Sequence, residues 1–267
     1  VVPLVAMLFW PSPEAVLWPD RPWQTLSTLD QRIRRLFACG VDVVVTVEPT
    51  VEFLTLPPET FVDAIVVETF GASHVVEGPD FSYGRDRAGS LDDLRDAGDE
   101  LGFTVHCIEP KLIDVEGRTH RVSSTQIRHL ISEGAVELAA ELQAGPFELA
   151  GEVVAGRGIG RELEFPTANL HVGDQVVPDE GVYAGIALVD GARWVCAISI
   201  GTAPTIPSEQ RLIEAYLLDY DGRDLYGQTI ELQFFHRLRS QKRFDSRDAL
   251  QQQITQDVAH VRSLVQL

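Results

Sequence analysis

The sequence predicts a chain of class α/β + β: an α/β domain over residues 1–145, then an antiparallel β domain over 146–267 that ends in a helix. Three observations carry this. Up to Gly145, β-branched apolar runs alternate with amphipathic helical stretches. From Phe147 to Phe235 the segments turn short and often alternating, divided by turn dipeptides such as Asp190-Gly191 and Asp221-Gly222. The tail SRDALQQQITQDVAHVRSLV returns to a helical period, with Leu250, Ile254, Val258 and Val261 on one face.

The opening VVPLVAMLFWP reads as a buried strand. Ser27 and Thr28 can cap a helix whose apolar face is Leu29, Ile33, Leu36 and Phe37, and Gly40 can end it in a left-handed conformation. VDVVVTV, residues 41–47, is the continuous run expected of a parallel strand covered on both faces. PPETFVDAIVVETFG repeats the helix pattern, SHVVEG is a strand, LDDLRDAGDELG an acidic helix and FTVHCIEP a strand. Strand and helix in this alternation imply right-handed βαβ units and a doubly wound sheet. SSTQIRHLISEG starts with capping hydroxyls, and AVELAAELQAG continues helically to a domain boundary near Gly145-Pro146. ELAGEVVAG, GVYAGIALVD, ARWVCAISIG, LIEAYLLDY and TIELQFFHRL then supply the strands of an antiparallel barrel or sandwich.

Composition narrows the function classes. The chain has 267 residues, 45% hydrophobic and 23% charged, with a net charge of −18 and no basic stripe, which sets aside a nucleic-acid backbone as main partner. A nucleotide can still be held in a local pocket. Cys39, Cys107 and Cys196 form no C-x-x-C pair, so the sequence predicts buried free thiols in a reducing, cytoplasmic compartment. The seven histidines include no i, i+4 pair. No apolar run reaches the roughly 18 residues of a membrane span, and the opening lacks the basic leader of a signal peptide.

The chemistry concentrates in AGRGIGRELEFPTANL. Gly156, Gly158 and Gly160, with Arg157 and Arg161 between them, allow backbone N–H groups to approach phosphate oxygens, although such a loop between strands is also an ordinary turn. No G-K-[ST] follows, so it is not a Walker loop. Past Pro166, Thr167 and Asn169 share one side if the segment is extended, and their neutral oxygens suit a hard cation such as Mg²⁺ that also takes nucleotide phosphates. The plain alternative is a polar turn before a strand. Glu214, in LIEAYLLDY, stands on the same strand face as Leu212 and Tyr216, as a general base or as an edge-strand carboxylate in water.

AGRGIGRELEFPTANL, GVYAGIALVDG, ISIGTAPTI, LIEAYLLDYDGRDLYGQTIEL and LRSQKRFDSRDALQQQITQD occur in this order. Together they resemble the riboflavin kinase module of the prokaryotic bifunctional riboflavin kinase/FAD synthetases, across essentially all of 146–267. The resemblance implies a β-barrel kinase domain that uses Mg²⁺ and ATP to convert riboflavin to FMN. Thr167 and Asn169 would contact magnesium–ATP, Glu214 would take the proton of the riboflavin 5′-hydroxyl, and the loop with Gly156, Arg157, Gly158 and Gly160 would fold over the phosphates beside Pro166. Arg239 and the C-terminal helix would border the flavin. These groups are expected to converge inside the barrel. Glu164, Ser199 and Gln241 depart from the family's usual glycine, asparagine and acid.

Residues 1–145 resemble the family's FAD synthetase module, a nucleotidyltransferase-like (Rossmann-like) α/β domain. VVEGPDFSYGRDRAG and VSSTQIR match its nucleotide-side elements, which would bring Asp80, Ser124, Thr125 and Arg128 to the adenylate or its phosphates. The family's H-x-G-H element is not in this sequence and its place would lie upstream of Val1, so the domain is expected to be incomplete at its start. Where the family has an acid and a histidine, this chain has Trp10 and Ser12. The expectation is therefore FMN synthesis with FAD synthesis weak or absent, and an α/β domain that is less stable than the barrel or self-associates through its exposed face. The alternatives are a complete bifunctional enzyme whose opening segment is absent from this sequence, and a non-catalytic flavin- or nucleotide-binding regulator.

Overall fold

The structure, a computed structural model, describes residues 2–156, 165–202, 211–220, 222 and 224–267. The chain forms two units: Val1–Trp23 with Leu29–Leu112, and Gln24–Thr28 with Ile113–Leu267.

In the first unit β1 (Val5–Phe9) and β2 (Val43–Val47) pair in parallel, joined through α1 (Pro13–Leu17) and α2 (Leu29–Ala38). After α3 (Val51–Leu54), α4 (Pro58–Phe61) runs directly into a π-helix, Val62–Thr69, and then β3 (His74–Glu77). The sequence pattern predicts one continuous helix here. Instead the Phe70 N–H donates to Ile65 O at 3.1 Å, a five-residue step. The wider turn holds a run rich in β-branched residues, whose side chains crowd a tighter helix.

A small antiparallel pair, β4 (Ser82–Tyr83) with β5 (Gly89–Ser90), precedes α5 (Leu91–Leu101). Ser90 and Asp93 form a reciprocal capping box at the start of α5, and Gly102, at φ 87°, ends it. β6 (Thr104–Cys107) returns parallel to β3. The parallel strands thus form two pairs over a common core. Met7, Val75 and Val105 pack with Phe61, Val62, Val66, Leu94 and Phe103. Coverage is one-sided in places: Val43 is 44% exposed, where the sequence predicts burial on both faces of β2, and Val76 on β3 is 54% exposed. The three thiols differ as well. Cys196 is buried, Cys107 half-buried and Cys39 exposed, because Cys39 lies just past the end of α2.

The second unit opens with the strands β7 (Leu112–Val115) and β8 (Arg118–Arg121), then α6 (Ser124–Ser132) and α7 (Val136–Gln143). Six strands follow: β9 (Phe147–Val154), β10 (Ala168–His171), β11 (Gly181–Val189), β12 (Ala192–Thr202), β13 (Arg211–Leu217) and β14 (Thr229–Arg239). They close into an antiparallel barrel in the order β10-β13-β12-β11-β14-β9, which settles barrel against sandwich. α8 (Arg247–Leu264), capped by the Ser246 hydroxyl, lays Val258 and Val261, with Val265 just past its end, against Ala184 and Ile186 on the outer wall and Leu218 just past β13.

Phe147, Tyr183 and Phe234 are fully buried in the main core, each worth roughly 1.5–3 kcal/mol as buried apolar surface. Ile127, Ile131, Val136 and Ala139 of α6 and α7 join the same core. Residues 113–144, which precede the boundary read from the sequence at Gly145-Pro146, therefore group with the barrel. Arg237 fastens them by donating to Glu133 O at 2.9 Å and to the Asp179 carboxylate at 2.7 Å. The segment Gln24–Thr28 also belongs to this unit. The Thr25 N–H donates to Asp174 O (2.7 Å), the Val176 N–H donates to Thr25 O (2.9 Å), and Arg128 Nε donates to Gln24 O (2.8 Å).

Candidate active site

Strand register brings the principal candidates together. Asn169 on β10 stands directly opposite Glu214 on β13, Glu214 opposite Ser199 on β12, Ser199 opposite Val182 on β11, and Val182 opposite Arg239 on β14. Five strands thus contribute one residue each to a single row. Side chains alternate across a strand. The neighbours Leu170, Ile198, Ile200, Ile213 and Ala215 are all buried in the main core, so the row faces outward. This corrects the expectation that the groups converge inside the barrel: a barrel of six strands is filled by its own side chains, and a ligand has room only against its wall. The next outward row, Ala184, Ala197 and Tyr216, lies in the cluster under α8. The site therefore borders the footprint of the terminal helix.

Asn169 is 6% exposed, and among the described residues its Oδ1 accepts no hydrogen bond. A buried carboxamide oxygen without a donor carries a desolvation cost that a cation or a bound donor would relieve. Gly156 lies against the same carboxamide, and a Cβ there would overlap it. Thr167 is half-buried, one residue ahead of β10, and Pro166 is exposed. Phe165 meets Tyr216 edge-to-face at 5.3 Å, which fastens the PTAN segment to β13 two residues from Glu214. Among the described residues no three His, Cys, Asp or Glu side chains cluster as a metal site. The donors on offer are neutral oxygens, which fit Mg²⁺ when phosphates and water complete its shell.

Arg239 is committed to α8. Its guanidinium donates to both oxygens of Asp257, the shortest contact 2.7 Å, and Asp257 also accepts from Gln253 Nε2 at 2.9 Å. The two side chains of the ion pair retain 14% and 10% exposure. Gln241, two residues on, donates from Nε2 to Ser199 Oγ at 3.0 Å and to Ile200 O at 2.9 Å.

Arg157, Gly158, Gly160 and Glu164 lie outside the described residues. Asp80 is exposed in the first unit, whereas Ser124, Thr125 and Arg128 lie on α6 in the second. The cap of α6 is Ser123, whose hydroxyl accepts from the Gln126 N–H at 3.2 Å. Sequence reasoning missed Phe165 and Asp257 as site-forming residues. Asp257 was findable: it falls three residues after Ile254, on the face of the tail helix meant for burial, where a lone acid calls for a cation.

A wall that sets hard neutral oxygens opposite a carboxylate has the parts of a nucleotide-dependent phosphotransferase. Comparison with known proteins narrows this. Residues 143–265 match the riboflavin kinase family model and residues 1–126 the FAD synthetase model. A bifunctional riboflavin kinase/FMN adenylyltransferase of Pseudomonas fluorescens is 35% identical over 98% of this chain and 83% of its own length. That of Escherichia coli K12 is 34% identical over 96% and 80%. A crystal structure from Streptococcus pneumoniae, described as a macrolide-efflux protein, superposes with TM-score 0.85 at 29% identity, over 97% of this chain and 83% of that one. Among the described residues no helix is long and apolar enough to cross a membrane. The chain belongs to the bifunctional riboflavin kinase/FMN adenylyltransferase family, and residues 143–265 are its riboflavin kinase domain.

Proposed function

We propose that the outer-wall row is the phosphoryl-transfer site, in which Glu214 is the general base and Asn169 with Thr167 holds magnesium–ATP. The observation that carries this is the register that sets buried Asn169, whose Oδ1 accepts no hydrogen bond among the described residues, directly across from Glu214. Adjacent strands run about 4.8 Å apart, so a phosphate held at Asn169 lies within reach of an alcohol held at Glu214. Glu214 accepts the proton of the riboflavin 5′-hydroxyl as that oxygen bonds to the γ-phosphorus. The bond from the γ-phosphorus to the β–γ bridging oxygen breaks, its electron pair leaves with ADP, and the product is FMN. Mg²⁺, when bound, neutralises charge on the triphosphate. Phosphoryl transfer needs little beyond such positioning and charge compensation. Gly156 leaves the Asn169 carboxamide its room, Arg239 fixes the helix that borders the flavin, and the site of action is the cytoplasm.

The test is a product assay. Purified chain with riboflavin, ATP and Mg²⁺ should yield FMN by chromatography, and Glu214→Gln should lower kcat by roughly 10²–10⁴-fold while ATP binding persists. No FMN from the parent chain would overturn the reading.

A second reading adds FMN adenylylation, and the FAD synthetase match over 1–126 favours it. Against it stand Trp10 and Ser12, which carry neither the acid nor the histidine that the resemblance implies. We therefore place FMN ahead of FAD as product, with Asp80, Ser124, Thr125 and Arg128 left as adenylate contacts; abundant FAD in the same assay would reverse this.

A further inference from the structure

We propose that Ser199 donates a hydrogen bond to the secondary alcohol of the substrate next to the hydroxyl that is phosphorylated, and that Gln241 is the positioning residue that aims it. The inference rests on Glu214 as the base for riboflavin and adds the group that recognises the polyol chain.

The Ser199 hydroxyl is aimed from Gln241 Nε2. That nitrogen lies 3.0 Å from Ser199 Oγ, 2.9 Å from Ile200 O and 3.4 Å from Gly181 O. Two of these neighbours are backbone carbonyls, which only accept, so the atom facing them is the amide nitrogen and the side chain has one workable orientation. Its two protons go to the two nearer partners. Ser199 Oγ therefore acts as an acceptor, and its own proton is available to donate elsewhere. Of the two residues directly across from Ser199, Val182 has no side-chain acceptor and Glu214 is the proposed base. An alcohol placed for Glu214 thus has Ser199 beside it in the same row. In riboflavin the phosphorylated 5′-hydroxyl has a 4′-hydroxyl on the adjacent carbon. Two oxygens on neighbouring carbons match two side chains on neighbouring strands: the 5′ oxygen gives its proton to Glu214, and the 4′ oxygen accepts from Ser199.

Gln241 lies between β14 and α8, 42 residues from Ser199 in sequence. Gly201 leaves it room, since a Cβ there would lie 3.3 Å from its amide nitrogen. One carboxamide thus fastens the segment leading into α8 to the strand that carries the substrate donor. Docking of that segment and aim of the hydroxyl are a single event.

The experiment compares riboflavin with 4′-deoxyriboflavin as phosphoryl acceptors for the parent chain and for Ser199→Ala, Ser199→Thr and Gln241→Leu, with ATP kinetics measured alongside. The parent chain is expected to prefer riboflavin by roughly tenfold in kcat/KM, the size of one neutral hydrogen bond. Ser199→Ala should lower kcat/KM for riboflavin by that factor, mainly through the riboflavin KM, and leave the deoxy analogue and the ATP KM unchanged. Ser199→Thr keeps the hydroxyl and should restore the preference. Gln241→Leu should lose most of it with the fold and the ATP KM intact. If Ser199→Ala keeps the parent's preference, or affects both acceptors equally, the proposal is wrong while the kinase reading stands. If the parent chain makes no FMN, both fall together.

Discussion

Gly156 lies so near the carboxamide of Asn169 that a β-carbon at 156 would occupy space the amide already fills. Gly156 lies two residues past the end of β9, whose last residue, Val154, pairs with Asn169 on β10. One glycine therefore sets the attitude of the side chain proposed to meet magnesium–ATP.

Gly156→Ala is expected to displace that carboxamide and raise the ATP KM by roughly ten- to a hundredfold, the penalty for misplacing a reactant by about an ångström. The riboflavin KM should change far less. Steady-state kinetics with each substrate varied in turn checks this, and an unaltered ATP KM would remove Asn169 from the nucleotide site.

The Arg239–Asp257 pair is nearly buried and hydrogen-bonded on several sides. Asp257→Ala strands a buried guanidinium and should destabilise the barrel unit by about 3 kcal/mol. Arg239→Met with Asp257→Leu removes both charges and should recover most of that loss. Denaturant melts of the two variants measure the difference. Equal losses would mean that the pair does not anchor α8.

Tyr183 sets an alkaline limit on the barrel. Burial, with the nearby Asp179 and Glu137 charges adding and Arg237 and Arg211 opposing, pushes its phenol up to about 12. An unfolded tyrosine titrates near ~10. The folded value is the higher, so the stabilisation is complete below about pH 10 and is lost as pH rises through 12. Absorbance titration of the phenolates should show a late step that Tyr183→Phe removes. That variant also loses the 2.6 Å hydrogen bond to Asp179 O, at a cost of about 1 kcal/mol.

The first unit should melt before the second. Its parallel strands form separate two-stranded pairs, and Val5, Val43 and Val76 remain 39%, 44% and 54% exposed. A two-stranded sheet has little independent stability. Calorimetry is expected to resolve two transitions, and riboflavin with ATP should raise only the upper one. A single transition that moves as a whole with ligand would show the two units to be one cooperative block.

Much of this architecture was legible because it is written in local periods. β-branched runs separated by helical stretches announced parallel pairing, and the switch at Phe147 to short alternating strands announced an antiparallel barrel or sandwich, a choice that only the closed strand order settles. The π-helix at Val62–Thr69 escaped because its register depends on crowding within the helix rather than on apolar spacing. The candidate residues could be named from the sequence one by one, but not the place in the fold that brings five strands of them into a row. The row from Asn169 to Arg239 exists only once the strands are ordered β10-β13-β12-β11-β14, and sequence adjacency does not encode that order. Whether Glu214 faced in or out rested on its neighbours: Ile213 and Ala215 fill the interior and leave the carboxylate the wall.

The short excursion at Thr25 bears on how such a chain could be divided. Its backbone completes hydrogen bonds with Asp174 and Val176, although α2 and most of the α/β unit still follow it in sequence. A gene broken at Gly145 would leave the kinase half without a stitch that only the other half's polypeptide can supply. Physical interleaving thus favours inheritance of both halves as one piece, whatever becomes of the chemistry in the first.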